Sequence, residues 1–208
     1  MGYRKFANSN TATVACNLAP QYVLEHTTKP IALSPGSVAK PKKTRVVPDF
    51  AQVLQYVQTS SNGSHIRDIQ KVVLLVENKP KIRRKELLDG ESPFDDSSDQ
   101  VRKQAAYAFV ADPSLRAIGT ILAFGARWKY VEIDRPQNTV LNTWVETGDK
   151  MYGRRKQPLI EVVPEELRRL SVLKDNFFEL LDPEGLSARA FEIIARRIKI
   201  REREIWNL

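Results

Sequence analysis

The run Val72-Val-Leu-Leu-Val76, followed directly by Glu77-Asn78-Lys79-Pro80, limits the fold more than any other segment of this chain. Five successive apolar residues read as a strand buried on both faces. Such strands do not ordinarily finish in a carboxylate and an ammonium two positions apart. Side chains alternate along a strand, so Glu77 and Lys79 are expected on one face, with Leu75 and Val73 behind them, and Asn78 on the other.

Upstream, "VVPDFAQVLQYV" places Phe50, Gln52, Leu54 and Tyr56 on one side of a strand and Ala51, Val53, Gln55 and Val57 on the other. "SSNGS" then supplies a turn before "IRDIQKVVLLVENK". The two segments form a predicted hairpin in which the first strand begins opposite the end of the second, bringing Asp49 toward Glu77. Pro80 removes an amide donor and closes the second strand. A charged loop is expected over 81–96, then a helix through "DQVRKQAAYAFVAD" opened by a capping box at Ser97 and Gln100. Past Asp112-Pro113, "AIGTILAFGARWKYVEID" reads as two strands hinged at Gly125.

Residues 17–26 read as a short helix, and 29–43, carrying Pro30, Pro35, Gly36 and Pro41, as an irregular connection. Pro164 beside Glu165 and Glu166 suits a helix start, because proline lacks the donor that would go unpaired and acids offset the dipole. Leu167, Leu170, Leu173, Phe177 and Leu180 continue from it at helical spacing. A final helix over 186–207 has Phe191, Ile194, Ile198 and Ile205 as its apolar stripe and Arg189, Arg196, Lys199 and Arg203 on another face. Strands joined by a helix indicate a mixed α/β architecture. The expectation is one domain: a core over 1–135, and a connection with two helices packed on it over 136–208.

At 208 residues, 42% hydrophobic and 28% charged, the chain can build a sizeable core, which excludes disordered and collagen-like classes. No apolar run is long enough to cross a bilayer, and "MGYRKFANSN" lacks the apolar core of a secretory signal, so no membrane association is expected. The expected setting is intracellular, in nucleus or cytoplasm. Cys16 alone makes no intramolecular disulfide, and with His26 and His65 it does not supply a zinc set. Metal chemistry would therefore use oxygen ligands. Glycine-rich phosphate loops, dinucleotide fingerprints and serine nucleophile elbows are absent from the sequence. The net charge of +8 suggests a polyanionic partner such as nucleic acid.

Two acids sharing a sheet edge disfavour each other's ionisation unless a cation compensates. Magnesium suits this count, since it uses one or two protein carboxylates together with water and substrate phosphate oxygens. Pro48-Asp49, then Glu77-x-Lys79 closing the next strand, then a helix bearing Gln104-Ala-Ala-Tyr107, resembles the PD-(D/E)XK nuclease superfamily. The resemblance spans residues 17–134, and the chain is also similar to nuclease-like domains found beside kinase-like domains in fungal proteins. It implies a restriction-endonuclease-like α/β/α core with a central mixed sheet, plus C-terminal helices here. It further implies Mg2+, with Mn2+ as a substitute, and hydrolysis of phosphodiester bonds in nucleic acid, DNA more often than RNA. Carried across, Asp49 and Glu77 are metal ligands, the Asn78 carbonyl a further one, Lys79 the catalytic lysine, and Gln104 a residue reaching the site from the helix. Glu25 matches the place where some members add an acid.

Lys81, Arg83, Arg84 and Lys85 leave directly from this site and are expected to hold backbone phosphates. Trp128 and Tyr130 alternate along a strand, a pattern of core packing more than of base stacking. Family members carry a small apolar residue between the acid and the lysine; here it is Asn78. That departure keeps a second expectation open: a catalytically inactive nuclease-fold protein that binds nucleic acid or a protein partner.

Overall fold

The computed structural model describes residues 11–27, 32–34, 37–38, 43–60, 65–80, 93–147 and 159–206. A central sheet runs in the order β1 (Thr11–Pro20), β6 (Phe50–Thr59), β7 (His65–Lys79), β8 (Ala117–Phe124), β9 (Arg127–Asp134) and β10 (Glu161–Val162), with β11 (Phe178–Glu179) also paired to β9. β7 and β8 are parallel, and every other pairing in this sheet is antiparallel. Two small ribbons stand apart: β2 (Leu24–Thr27) with β5 (Lys43–Val46), and β3 (Ala32–Ser34) with β4 (Ser37–Val38). Helix α1 (Pro93–Ala111) joins β7 to β8. Next come α2 (Asn138–Thr147), α3 (Glu165–Leu170), α4 (Leu186–Arg201) and α5 (Arg203–Trp206). The expected mixed sheet with C-terminal helices is what the chain builds.

Each face of the sheet has its own apolar cluster. On one, Ala51, Val53, Val72 and Leu75 pack with Ala105, Ala108 and Phe109 of α1, whose alanines let the helix approach closely. On the other, Leu54, Tyr56, Val73 and Leu74 pack with Ile194 and Ile198 of α4. Fully burying one large apolar side chain contributes about 1.5–3 kcal/mol, so both layers depend on these contacts. Among the described residues no helix is long and apolar enough to cross a membrane.

The hairpin forms with two changes of register, one between Gln58 and Thr59 and one in the core between Gln52 and Val53. Gln52 pairs with Leu74 and Val53 with Val72, so Val73 is an extra residue in β7. Val73 therefore joins Leu74 on the α4 face, and Val72, not Val73, accompanies Leu75 on the α1 face. Strict alternation misplaced Val73 because a bulge resets the period of two. The extra carbonyl it creates accepts a hydrogen bond from Arg201 Nη2 at 2.9 Å.

Other expectations are corrected. Residues 17–26 are not helical: they finish β1, which pairs residue by residue with β6 from Thr11–Thr59 to Pro20–Phe50, turn at Gln21 (φ 49°), and enter β2. Edge pairing overrides the short apolar cluster, and Pro20 stands at the strand's end, where a missing donor costs least. Helix α1 begins at Pro93, so Ser97 lies inside it, buried. The helical spacing beyond Leu170 is coincidental, because Ser171 is extended, a 3-10 turn spans Lys174–Asn176, and Phe178 pairs with Trp128 of β9. The last helix breaks at Glu202. Trp128 and Tyr130 are core residues, and Trp128 stacks on Phe178 and Phe191 with centroids 5.0 and 4.3 Å apart. Gly119 makes room for Tyr130: a Cβ there would lie 2.6 Å from its hydroxyl.

Candidate active site

β7 runs out of the core at Glu77, opposite Leu122 of β8, and its last two residues pair with Ala123 and Phe124. Gly125, at φ 60° in the β8–β9 turn, donates its amide to the Lys79 carbonyl at 3.1 Å, tying this strand end to its neighbour. Glu77 shares the α1 face with Leu75 and is only 2% exposed. A carboxylate this deep needs donors to offset lost hydration, and it has three. Lys79 Nζ and Gln100 Nε2 donate to Oε1 at 2.5 and 2.6 Å, and Gln104 Nε2 donates to Oε2 at 2.8 Å. Lys79 Nζ also donates to Gln100 Oε1 at 2.8 Å, closing a ring of acid, ammonium and amide. The Lys79 side chain is 28% exposed, so the ring opens to solvent on the lysine side.

Gln104 lies on the buried face of α1 at 1% exposure, and its Oε1 has no hydrogen-bond partner among the described residues. Its amide is oriented by Glu77, since the nitrogen and not the oxygen must face a carboxylate. Gln100, one helical turn earlier, joins the same group although the sequence reading used it only as a capping residue. The signal was present: two glutamines at i and i+4 share a helix face. Tyr107 turns away from them and donates its hydroxyl to Thr44 Oγ1 of β5 at 2.8 Å.

Asp49 immediately precedes β6 and is fastened twice. Its carbonyl accepts the Gln21 amide at 2.9 Å and its Oδ2 accepts the Asn78 amide at 2.7 Å, so the carboxylate rests against the peptide that follows Glu77. Asn78 is exposed on the opposite face from Glu77 and needs no place in the core. The structure thus joins Glu77, Lys79 and Gln104 by direct hydrogen bonds and sets Asp49 on the backbone between the acid and the lysine. Glu25 is on strand β2, not on a helix, and pairs with Lys43 Nζ at 2.6 Å. Lys81, Arg83, Arg84 and Lys85 lie outside the described residues.

Asp49 and Glu77 are the residues of this strand end that could hold a hard divalent cation. Asp49 Oδ1 carries no hydrogen bond among the described residues, and Glu77 Oε2 accepts only one, so each keeps oxygen lone pairs free. Among the described residues no group of three or more His, Cys, Asp or Glu side chains gathers for a metal. Fold and site together define an α/β protein carrying a carboxylate, ammonium and amide cluster at the carboxyl end of a parallel strand. No family model, curated protein or solved structure matches the chain.

Proposed function

We propose that this chain is a metal-dependent nuclease that hydrolyses phosphodiester bonds in nucleic acid, DNA ahead of RNA. The observation that carries the reading is the Glu77–Lys79 pair, held on one face at the end of β7 by two glutamines of α1, with the Asp49 carboxylate on the intervening peptide. Ligands of open α/β sheets collect outside the carboxyl ends of parallel strands, which is where these groups stand. Asp49 Oδ1, Glu77 Oε2 and the Asn78 carbonyl would hold Mg2+, or Mn2+ in its place. When bound, the ion supplies Lewis-acid polarisation of the phosphodiester and a more acidic water.

The chain's own residues have separate tasks. Gln104 fixes the rotamer of Glu77, so that one carboxylate oxygen stays directed away from the lysine. Gln100 bridges Glu77 and Lys79 and keeps the ammonium at the strand end. Lys79, the more exposed partner, stabilises the negative charge that builds on the phosphoryl oxygens as the bond is cut. The net charge of +8 supports a polyanionic substrate and salt-sensitive affinity, and Lys81, Arg83, Arg84 and Lys85 follow the site directly in sequence. A nuclear or cytoplasmic setting accompanies this reading.

One observation favours a second reading, an inactive nuclease-fold protein that binds nucleic acid or a protein partner. The Glu77 charge is already matched by Lys79 at 2.5 Å. The test is incubation of purified protein with plasmid, single-stranded DNA and RNA, with and without Mg2+, beside Asp49→Asn. Metal-dependent cleavage lost in the variant supports the nuclease. Salt-sensitive binding without cleavage, equal in both proteins, supports the second reading.

A further inference from the structure

On the face of the sheet opposite Glu77 lies a cavity of about 630 Å3 that the proposed chemistry does not use. Leu74, Val76, Ile121 and Ala123 form its floor, and Ile194 and Ile198 of α4 its roof. The volume falls in the range of about 300–1,000 Å3 typical of small-molecule sites. Leu18, Leu180 and Phe191 of its wall are exposed, so one side opens to solvent.

The wall also indicates what the filling group is. Among the described lining residues one side chain is charged, Lys199, which is exposed and lies where the cavity meets solvent. Its ammonium sits 5.8 Å from the Trp206 ring centroid and makes no ion pair among the described residues. The Cys16 thiol, also in the wall, has its ionisation pushed up by burial, so it stays neutral and adds no competing anion. An apolar chamber with one cation at its mouth, unpaired among the described residues, matches an amphiphile with one apolar chain and one negative charge.

We propose that this cavity binds a monomeric long-chain carboxylate, its hydrocarbon between the sheet and α4 and its carboxylate at Lys199. The site stands apart from the nuclease reading, because β7 turns Val76 toward it and Glu77 away from it.

The experiment titrates the full chain with cis-parinaric acid, followed by fluorescence, then displaces it with saturated carboxylates of increasing length and with the matching alcohols. One molar equivalent should bind. Each added methylene should tighten binding about fourfold until the chamber is full, and acids should bind about fivefold better than alcohols. Lys199→Met should remove the acid preference while keeping alcohol binding. Ala123→Trp should abolish both, and Ala195→Phe, at an exposed position of α4, does the same where the first variant fails to fold. The proposal is overturned by absence of saturable binding, by acids and alcohols binding equally to the wild type, or by binding that both filling variants leave intact. Association with phosphatidylcholine–phosphatidylserine vesicles without uptake of the free acid, or self-association that shuts the acid out, overturns it equally.

Discussion

Arg201, at the end of α4, donates from Nη2 to the carbonyl of Val73 across 128 positions of sequence, at 2.9 Å. Its Nε donates to Glu202 Oε1 at 3.0 Å, and Glu202 in turn takes Lys71 Nζ of β7 at 2.7 Å. The bulge that turns Val73 to this face is thereby locked to the C-terminal helix. Arg201→Met keeps the hydrocarbon stem and strips the donors from a buried carbonyl and a buried acid. We expect a loss of about 2–4 kcal/mol in urea unfolding, while exposed Arg196→Met changes stability by less than about 0.5 kcal/mol. Equal effects of the two would contradict the bulge assignment.

Gly119 on β8 faces Tyr130, and an added Cβ would meet the hydroxyl at 2.6 Å, the ring at 2.8 Å and Leu74 Cδ1 at 3.1 Å. Tyr130 is 1% exposed and has nowhere to move. Gly119→Ala is therefore expected to cost about 1–3 kcal/mol by overpacking, read as a lower thermal midpoint. Adding Tyr130→Phe removes the shortest of these contacts and should restore part of the loss.

Glu132 accepts two bonds from Arg197, at 3.0 and 2.6 Å, and one from the Tyr130 hydroxyl at 3.0 Å. Burial alone would raise its carboxyl, but the Arg197 hydrogen bonds and charge outweigh that and hold it below the usual range. A carboxyl depressed in the folded state contributes stability above its unfolded value, about 4.3 for glutamate, and loses it as pH falls through the folded value. The urea midpoint should drop more between about pH 7 and about pH 3 in the wild type than in Glu132→Gln. Parallel pH profiles would remove this pair from the acid response.

Gln104 separates two effects at the candidate site. Gln104→Leu loses a charge-assisted bond to Glu77 but also removes the unpartnered Oε1, and terms of about 1–3 kcal/mol each largely offset. Gln104→Glu instead sets a second carboxyl against buried Glu77 and removes its amide donor. Gln104→Glu should accordingly unfold at a lower urea concentration than Gln104→Leu at about pH 7.

Lys79→Met tests the proposed chemistry directly. Hydrolysis of plasmid in Mg2+ should fall at least about 100-fold, the usual scale for losing one preorganised charge-stabilising donor. Circular dichroism should match the wild type, because the lysine lies at the solvent side of the ring. Undiminished cleavage would assign the reaction to other residues.

The local code carried much of this. Alternation placed the two hairpin strands, the strand pair around Gly125 and α1, and the shared face of Glu77 and Lys79 followed from the period of two, while the turn read at 61–64 lies outside the described residues. The partnership of Glu77 with Gln104 was an implication of the family resemblance, not of any local pattern. Where the sequence reading failed, a distant partner overrode a local pattern. Residues 17–26 hold an apolar cluster fit for a helix, yet ten pairings with β6 draw 11–20 into an edge strand and carry Glu25 to Lys43. Leucine spacing past Leu170 gave way to pairing with β9.

By itself, then, the sequence determined which segments are strands or helices wherever periodicity was strong, and which acid and lysine share a strand end. Tertiary structure alone decided the bulge at Val73, the recruitment of Gln100, the double fastening of Asp49, and the chamber beneath α4 with Lys199 at its mouth. Periodicity is written in neighbouring residues, whereas a bulge, a side-chain ring or a cavity exists only when surfaces far apart in the chain are pressed together, and their energies depend on both partners at once.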